Sequence, residues 1–200
     1  MTEESRPYRM KRRAESQQET RLRITRSAVA LHGTLGPSRT SMSAIAEHAG
    51  VRRSTLYRHF ADEAALFDAC TAHWARDNPP PDLAVWAELA EPEERLAAAL
   101  TDLYGYYGRT AAMFENLFRD EATMPLVRER FAAFRGYFEA SQHMLIEGRR
   151  LRGARRQRVN AAIGHAIAFS TWRSLVREQG LDDSAAIGLM RALVRSAADG

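Results

Sequence analysis

Residues 40–60 read TSMSAIAEHAGVRRSTLYRHF, with the spacing of two short helices joined by a glycine turn. One apolar face of the first helix is formed by Ile45, Ala46 and Ala49. Ser41 or Ser43 can cap its N-terminus. Gly50 ends it, because glycine adopts positive φ without a Cβ clash. The stretch therefore predicts a helix-turn-helix.

The second helix of this motif combines an apolar inward face with a polar outward face. Its inward residues are Val51, Leu56 and Phe60. Arginine can contact a guanine edge or a phosphate with two hydrogen bonds, and hydroxyl or imidazole groups can bond backbone oxygens. Candidates for base edges are Arg53 and Thr55. Candidates for phosphates are Ser41, Arg52, Ser54, Tyr57, Arg58 and His59.

At these residues the chain resembles the tetracycline-repressor (TetR) family of bacterial transcriptional regulators. The residues in register with the family's signature are Ile45-Ala46, Ala49-Gly50-Val51, Thr55-Leu56-Tyr57, His59-Phe60 and Leu66. Three positions depart from it. Arg52 replaces a small capping residue, Ser54 a glycine, and Glu63 a lysine that would contact phosphate. Glu63 suits the helix dipole but repels DNA.

The helical pattern and the resemblance together predict an all-α fold of about nine helices. A three-helix DNA-binding domain would be followed by a helical domain for ligand binding and dimerisation. The predicted divisions are a disordered basic arm over 1–16, the DNA-binding domain over 17–62, a connecting helix over 63–77 and a regulatory domain over 78–200. Asn78-Pro79-Pro80-Pro81 marks the boundary. In the family the connecting helix swings when ligand binds.

Charge and composition narrow the function classes. Residues 1–60 carry 12 Lys and Arg against 5 Asp and Glu, so the positive field lies on the motif and favours a polyanionic partner. No apolar run approaches the roughly 20 residues that cross a bilayer, and Met1 to Gln18 is not a signal peptide, so a cytoplasmic protein without a membrane partner is expected. The single cysteine, Cys70, is either a buried apolar residue or a redox sensor.

The segments on either side of the motif complete the predicted first domain. The basic arm either contacts DNA or remains a solvated tail. A helix over about 17–34 presents Ile24, Ala28, Leu31 and Leu35 to the motif. His32 stands where the family usually has phenylalanine, and is either a hydrogen-bonded core residue or a sensor.

Further helices are predicted over 91–108, 111–119, 125–149, 154–179 and 182–197. The first three hold four of six tyrosines and five of eight phenylalanines, which can fill a core or line a cavity. The resemblance implies a mostly apolar ligand pocket. Its candidate residues are Tyr104, Tyr107, Met113, Phe114, Phe118, Phe134, Phe138 and Trp172. The segment RRLRGARRQR over 149–158 is a solvated turn or a second nucleic-acid patch.

The resemblance also implies a homodimer through the last two helices. The candidate interface residues are Ala162, Ala166, Phe169, Val176, Ala186, Leu189, Met190 and Leu193. Two motifs spaced about one helical turn of DNA, roughly 34 Å, bind a palindromic operator more tightly than one motif does.

The leading interpretation is a repressor released from double-stranded DNA by a small, largely apolar effector. The alternative is a dimeric DNA-binding regulator without a small-molecule ligand, controlled by its level or by a protein partner. An enzyme is not expected, because no phosphate-binding glycine loop, HExxH or GxSxG occurs. No cofactor, metal or catalytic residue is predicted, although His143 with Glu139 and Glu147 has a spacing that could hold a metal.

Overall fold

The computed structural model describes residues 6–199, with side chains from residue 8 onward, and the regular structure in that range is helical. It divides into two compact units. The first contains the residues up to Pro79 together with Ala112–Arg130, and the second contains Pro80–Ala111 together with the residues from Phe131. The predicted all-α fold is confirmed.

The first unit is built around the predicted helix-turn-helix. Its elements are α1 (Arg6–Thr34), a 3₁₀ turn (Pro37–Arg39), α2 (Met42–His48), α3 (Arg53–His59), α4 (Glu63–Asp77), the last part of α6 (Pro92–Glu121) and α7 (Pro125–Arg130). Its core includes Ile24, Ala28, Ile45, Leu56, Phe60, Leu66 and Val127. Val127 brings α7 into this core, in a stretch that the sequence alone assigned to the regulatory domain.

Capping residues and one glycine fix the motif in place. The side chain of Ser41 accepts a hydrogen bond from the amide of Ala44 at 3.1 Å, and that of Asp62 from the amide of Ala65 at 2.8 Å. Gly50 has a φ of 63°, the left-handed conformation that the turn between α2 and α3 requires. The N-termini of α2 and α4 therefore lie where the sequence predicts them.

The expected disordered arm is wrong for the described part of residues 1–16. Helix α1 begins at Arg6, eleven residues before the predicted start of the first helix, and residues 1–5 lie outside the described range. Arginine, lysine, methionine, alanine and glutamate make up most of residues 6–16, and all favour helix. Lys11 and Glu15, four residues apart and 4.0 Å from each other, add a modest stabilising pair.

The second unit is a helical bundle. Its elements are α5 (Leu83–Ala87), the first part of α6, α8 (Ala132–Ile146), α9 (Gly153–Ala166), α10 (Phe169–Trp172), a π-helical turn (Arg173–Glu178) and α11 (Asp183–Asp199). Helices α8 and α11 both pack against α9. Asp182 caps α11 by accepting a hydrogen bond from the amide of Ala185 at 2.7 Å, as the sequence predicts.

Three predicted helix boundaries are wrong. Helix α6 runs without a break through Gly108, because one glycine costs a helix only about 1 kcal/mol. The helix expected over 125–149 divides into α7 and α8 at Phe131. The helix expected over 154–179 breaks after Ala166, where the hydroxyls of Tyr104 and Tyr107 on α6 donate hydrogen bonds to the carbonyl oxygens of Ala166 and Ile167.

Candidate nucleic-acid interface

Helix α3 separates its apolar and polar residues as the sequence predicts. Leu56 and the following Phe60 are buried, whereas Arg53, Ser54, Tyr57 and Arg58 are exposed. These four residues stand at positions i, i+1, i+4 and i+5, which places them on one face of a helix. The remaining candidates on this helix, Thr55 and His59, are half-buried at the edges of that face.

Arg53 and Tyr57 form the centre of the exposed face. The guanidinium carbon of Arg53 lies 5.5 Å from the centroid of the Tyr57 ring, and its Nη2 donates to the Tyr57 hydroxyl at 3.4 Å. The stacking holds the guanidinium along the helix surface while leaving its other N–H groups available to a ligand. The arrangement suits bidentate recognition of a base edge or a phosphate.

Arg21 of α1 supports the C-terminal end of α3, a role that sequence reasoning missed. Its guanidinium donates to the carbonyl oxygen of His59 and lies 4.0 Å from the centroid of the Phe60 ring. The pKa of His59 is lowered by burial and by the charges of Arg58 and Arg21. A neutral His59 can therefore bond phosphate oxygen only through one ring N–H.

Residues at the helix termini around α3 set the local electrostatics. Arg52 occupies the N-cap position of α3 but its side chain makes no capping hydrogen bond. Ser41 caps α2 and remains exposed, so its hydroxyl combines a structural role with the predicted phosphate contact. Glu63 lies in the first turn of α4, where its charge favours the helix dipole.

A polar junction joins the last part of α6 to the loop that precedes the motif. Asn116 donates to the carbonyl oxygens of His32 at 3.0 Å and Gly33 at 2.9 Å, at the end of α1. Arg119 donates to the carbonyl oxygen of Leu35 at 2.9 Å. The spacing of these polar residues on one side of a helix was visible in the sequence, but their partners are more than 80 residues away.

Asp120 completes this junction on the 3₁₀ turn. Its carboxylate accepts a hydrogen bond from the amide of Ser38 at 2.9 Å and pairs with Arg119 at 2.8 Å. Burial alone would raise the pKa of Asp120, but the hydrogen bonds from Arg119 and Ser38 outweigh it and lower that pKa. A Cβ on Gly36 would lie 2.0 Å from Nη2 of Arg119, so only glycine allows this approach.

His32 and Cys70 are buried together in the first unit. The ring of His32 tilts against Phe67 with centroids 5.5 Å apart, and its Nδ1 lies 3.5 Å from Cys70 Sγ. Burial lowers the pKa of His32 to about 4, against the opposing charge of Asp120. Burial also raises the pKa of Cys70 to about 12, which leaves the thiol unreactive at neutral pH.

Tyrosines of α6 and aromatic residues of the C-terminal helices meet in the second unit. The Tyr107 ring lies 6.3 Å from Phe138, 5.4 Å from Phe169 and 5.9 Å from Trp172, measured between centroids. The Tyr107 hydroxyl donates to the carbonyl oxygen of Ile167 at 2.5 Å. Burial raises the pKa of Tyr107 well above its ordinary value, so the hydroxyl stays protonated.

The predicted pocket residues fall in both units. Tyr104, Tyr107, Phe134, Phe138 and Trp172 belong to the second unit, where ring contacts connect them. Met113, Phe114 and Phe118 belong to the first unit, in which Phe114 lies against Trp74 and Phe118 is 40% exposed. The sequence pattern identified aromatic residues but not this division.

The predicted dimer residues differ in exposure. Ala166, Phe169, Ala186 and Met190 are buried within their own chain, which leaves their side chains little surface for a partner. Ala162 and Val176 are half-buried. Leu189 and Leu193 of α11 are exposed at 48% and 39%.

The arginine-rich segment over 149–158 is not uniform. The side chain of Arg149 is buried, pairing with Glu93 at 2.6 Å and donating to the carbonyl oxygen of Pro92. The other arginines of the segment are exposed on the turn and on the first part of α9: Arg150, Arg152, Arg155, Arg156 and Arg158.

Two further properties concern the described residues as a whole. No helix over residues 6–199 has the length and apolar character of a membrane span. In the same part of the chain, no group of three or more His, Cys, Asp or Glu residues is placed to hold a metal ion. His143 and Glu147 form an exposed pair at 3.3 Å.

Residues 24–70, which contain α2, α3 and the packed half of α1, match the family described as bacterial regulatory proteins, tetR family. No curated protein matches the chain.

Solved structures share the fold over most of the chain. A TetR-like transcriptional regulator from Rhodococcus sp. RHA1 is 21% identical, covers 90% of this chain and 96% of its own, and has a TM-score of 0.64. A putative fatty acid metabolism regulator from Clostridium perfringens is 16% identical over 88% of this chain and 97% of its own, with a TM-score of 0.63. A TetR transcription regulator from Haloarcula marismortui is 14% identical over 91% and 97%, with a TM-score of 0.55.

Proposed function

We propose that the chain is a transcriptional regulator of the tetR family, whose model matches residues 24–70, and that it acts as a cytoplasmic homodimeric repressor of a palindromic operator. Each subunit inserts the N-terminal part of α3 into a major groove of double-stranded DNA. Arg53 and Thr55 contact base edges. Phosphates are bound by Ser41, Arg52, Ser54, Tyr57, Arg58 and His59.

The observation that carries this proposal is the exposed polar face of α3. Arg53, Ser54, Tyr57 and Arg58 lie together on it, opposite the buried Leu56. An α-helix with its side chains is about 10–12 Å in diameter, which fits a major groove about 12 Å wide, and the seven residues of α3 supply about two turns to lie in it. The buried face and Arg21 hold the helix on the unit, so the exposed side chains are positioned before DNA arrives.

The test of DNA recognition starts from duplexes selected out of a random pool by the wild-type protein. Arg53→Ala should weaken binding to the selected duplex by about 5- to 150-fold, which corresponds to about 1–3 kcal/mol for a base contact. Binding to unselected duplex should change much less. Arg26→Ala removes an exposed arginine from α1 outside the motif and serves as the matched control.

A selected duplex that Arg53→Ala and Arg26→Ala bind equally well would contradict the assignment of Arg53 to a base edge. Failure of the selection to enrich any sequence would contradict sequence-specific recognition as a whole.

The proposed dimer forms through an exposed face of α11. The exposed residues of this face are Ala185, Gly188, Leu189, Ala192 and Leu193, whereas Ala186 and Met190 of the same helix are buried. Small residues and leucine let two helices approach closely and bury apolar surface. Leu189→Arg with Leu193→Arg should convert a dimer to a monomer in analytical ultracentrifugation at micromolar concentration. A wild-type monomer at that concentration would contradict the proposal.

We further propose that a small, largely apolar ligand releases the repressor by binding at the aromatic cluster of the second unit, defined here as Tyr104, Tyr107, Phe134, Phe138 and Trp172. The ring contacts that connect these five residues support this choice. Ligand binding would part ring contacts such as that between Tyr107 and Phe138.

A regulator without a small-molecule ligand is the second candidate, and the packing of the same cluster favours it. Tyr104 and Tyr107 are completely buried, and each hydroxyl already bonds a carbonyl oxygen. Aromatic and aliphatic compounds should be screened for release of the protein from its selected duplex, with intrinsic tryptophan fluorescence as a second measurement. Release that Phe138→Trp abolishes supports the ligand, whereas no release by any compound supports the second candidate.

A further inference from the structure

Helix α1 extends far beyond the core that it helps to form. Residues 8–19 are all exposed, whereas the second half of the helix buries Ile24, Ser27 and Ala28 against the rest of the first unit. At 1.5 Å per residue the exposed extension is about 18 Å long. Twelve residues of the 29-residue helix, 8–19, are therefore exposed before the first half-buried position at Thr20.

Arg21 fixes the place where this extension leaves the unit. Its contacts with His59 and Phe60 put the base of the extension beside the C-terminal end of α3. The opposite end of α1 is held by Asn116 through the carbonyl oxygens of His32 and Gly33. Along its axis, α1 therefore leads from the polar junction on α6, past the end of α3, and out beyond the motif.

The 3.6-residue period of α1 determines which side chains of the extension lie on the same side of the helix as its buried residues. Arg13 precedes Ile24 by eleven residues, about three turns, and Arg9 precedes Ser27 by eighteen residues, five turns. Both arginines are therefore aligned with buried positions of the packed half, of which Ile24 shares its core with Ile45 and Leu56 of the motif. They lie about 16 Å and 27 Å further along the axis, in the stretch over residues 8–19 where every residue is exposed.

Charge is segregated around the extension. Lys11 lies on another side, where it pairs with Glu15 at 4.0 Å, and Glu19 continues that row four residues later. Acidic side chains are thus kept off the row that contains Arg9 and Arg13. An exposed arginine row on the side of a DNA-binding motif attracts phosphate more strongly than one with interspersed carboxylates.

We propose that the extension of α1 is a second DNA-contacting element, in which Arg9 and Arg13 bind the phosphate backbone flanking the half-site read by α3. The inference rests on the proposed DNA binding of α3 and deepens it. Because the extension continues a helix anchored at Arg21, it delivers both guanidinium groups at a fixed distance from the groove. It adds affinity and lengthens the site without reading base sequence.

The test compares two double variants of the full chain that remove the same charge. The first variant, Arg9→Ala with Arg13→Ala, removes both arginines of the proposed phosphate-binding row. The second, Lys11→Ala with Arg26→Ala, removes two exposed cations from roughly the opposite side of the helix. Alanine favours helix at all four positions, so the variants are expected to fold. Binding is measured from 0.05 to 0.3 M salt on the selected duplex, on random duplex, and on the selected duplex trimmed of its flanks.

The row variant should flatten the slope of log K against log salt by about 1.8 per subunit, since each phosphate contact contributes about 0.9. At about 0.1 M salt it should bind the selected duplex roughly tenfold more weakly, and the trimmed duplex no more weakly than wild type does. The opposite-side variant should keep the wild-type slope to within about 0.5 on every duplex.

Equal slopes of log K against log salt for the two double variants on all duplexes would contradict the proposed phosphate contacts of Arg9 and Arg13. This conclusion would hold even if the wild-type protein selects a specific sequence. Equal losses for both variants would also contradict these contacts, since such losses would reflect total charge alone. Failure of the wild type to prefer any sequence would contradict the proposed function instead, and the random duplex would still show whether the row binds phosphate.

Discussion

Helix α6 contributes side chains to both units, and its two parts do the same structural task with different chemistry. In the second unit, Tyr104 and Tyr107 donate to the carbonyl oxygens of Ala166 and Ile167, where α9 ends. In the first unit, Asn116 donates to the carbonyl oxygens of His32 and Gly33, where α1 ends. Each part thus satisfies carbonyl groups that a terminating helix leaves without a partner.

The difference lies in charge and burial. The tyrosine end, defined here as Tyr104, Tyr106 and Tyr107 of α6, consists of neutral hydroxyl groups on buried rings. The polar junction includes the Arg119–Asp120 pair, in which the Arg119 side chain is 40% exposed. A buried neutral hydrogen bond responds weakly to salt, whereas a partly exposed ion pair is screened by it. The junction at the DNA-binding unit is therefore the part of α6 that solution conditions can alter.

The largest expected effect comes from removing a ring at the tyrosine end. Tyr107→Ala deletes contacts with Phe138, Phe169 and Trp172 and leaves a cavity, so it should lower the free energy of unfolding by about 3–5 kcal/mol. Urea denaturation followed by circular dichroism measures this change.

Tyr107→Phe is the control for that experiment. It keeps the ring and removes only the hydrogen bond to the Ile167 carbonyl, at a cost of about 0.5–1.5 kcal/mol. Equal losses for the two variants would show that the hydroxyl, and not the packed ring, stabilises this part of the second unit.

How much the sequence predicts depends on how local each feature is. Gly50, Ser41 and Asp62 act on residues within a few positions, so the motif and the start of α4 could be located from spacing alone. The partners of Asn116 and Tyr104 lie 84 and 62 residues away, and no periodicity encodes them. The unbroken course of α6 likewise depends on tertiary packing, which overrides the weak preference of Gly108.

The second prediction concerns the loss of stability as the pH falls. Because the folded protein holds the pKa of His32 near 4, below its ordinary value of 6.5, the unfolded chain binds a proton first as the pH falls. This contribution to stability is complete above pH 6.5 and declines toward pH 4, by at most about 3 kcal/mol. The lowered pKa of Asp120 acts below its ordinary value of 3.8, outside this window.

Denaturation at pH 7, 5.5 and 4.5 should show this decline, and His32→Phe should flatten it. The tyrosine end should behave in the opposite sense. Burial raises the pKa of Tyr106 to about 12, so its contribution is complete below pH 10 and declines as the pH rises further. If His32→Phe lost as much stability between pH 7 and pH 4.5 as the wild-type protein does, His32 would not be the cause of the decline.

A smaller effect is expected at the polar junction itself. Asn116→Ala leaves the carbonyl oxygens of His32 and Gly33 without their donor and should cost about 1–3 kcal/mol. Glu115→Ala changes the adjacent, exposed residue and should stay within about 0.5 kcal/mol of wild type. Similar losses for both variants would mean that helix propensity, not the junction, determines the result.

The smallest effect tests whether the tyrosine end is indifferent to salt. Tyr104→Phe removes one neutral hydrogen bond, from the hydroxyl to the Ala166 carbonyl at 3.0 Å, and should cost about 1 kcal/mol. Because neither group is charged, the loss should be the same at about 0.1 M and 1 M sodium chloride. The cost of Asp120→Asn, by contrast, should shrink at high salt, since part of the Arg119–Asp120 attraction is screened. The opposite result would be a loss of stability in Tyr104→Phe that disappears at high salt, together with a loss in Asp120→Asn that does not change. That result would contradict the assignment of neutral and ionic interactions to the two parts of α6.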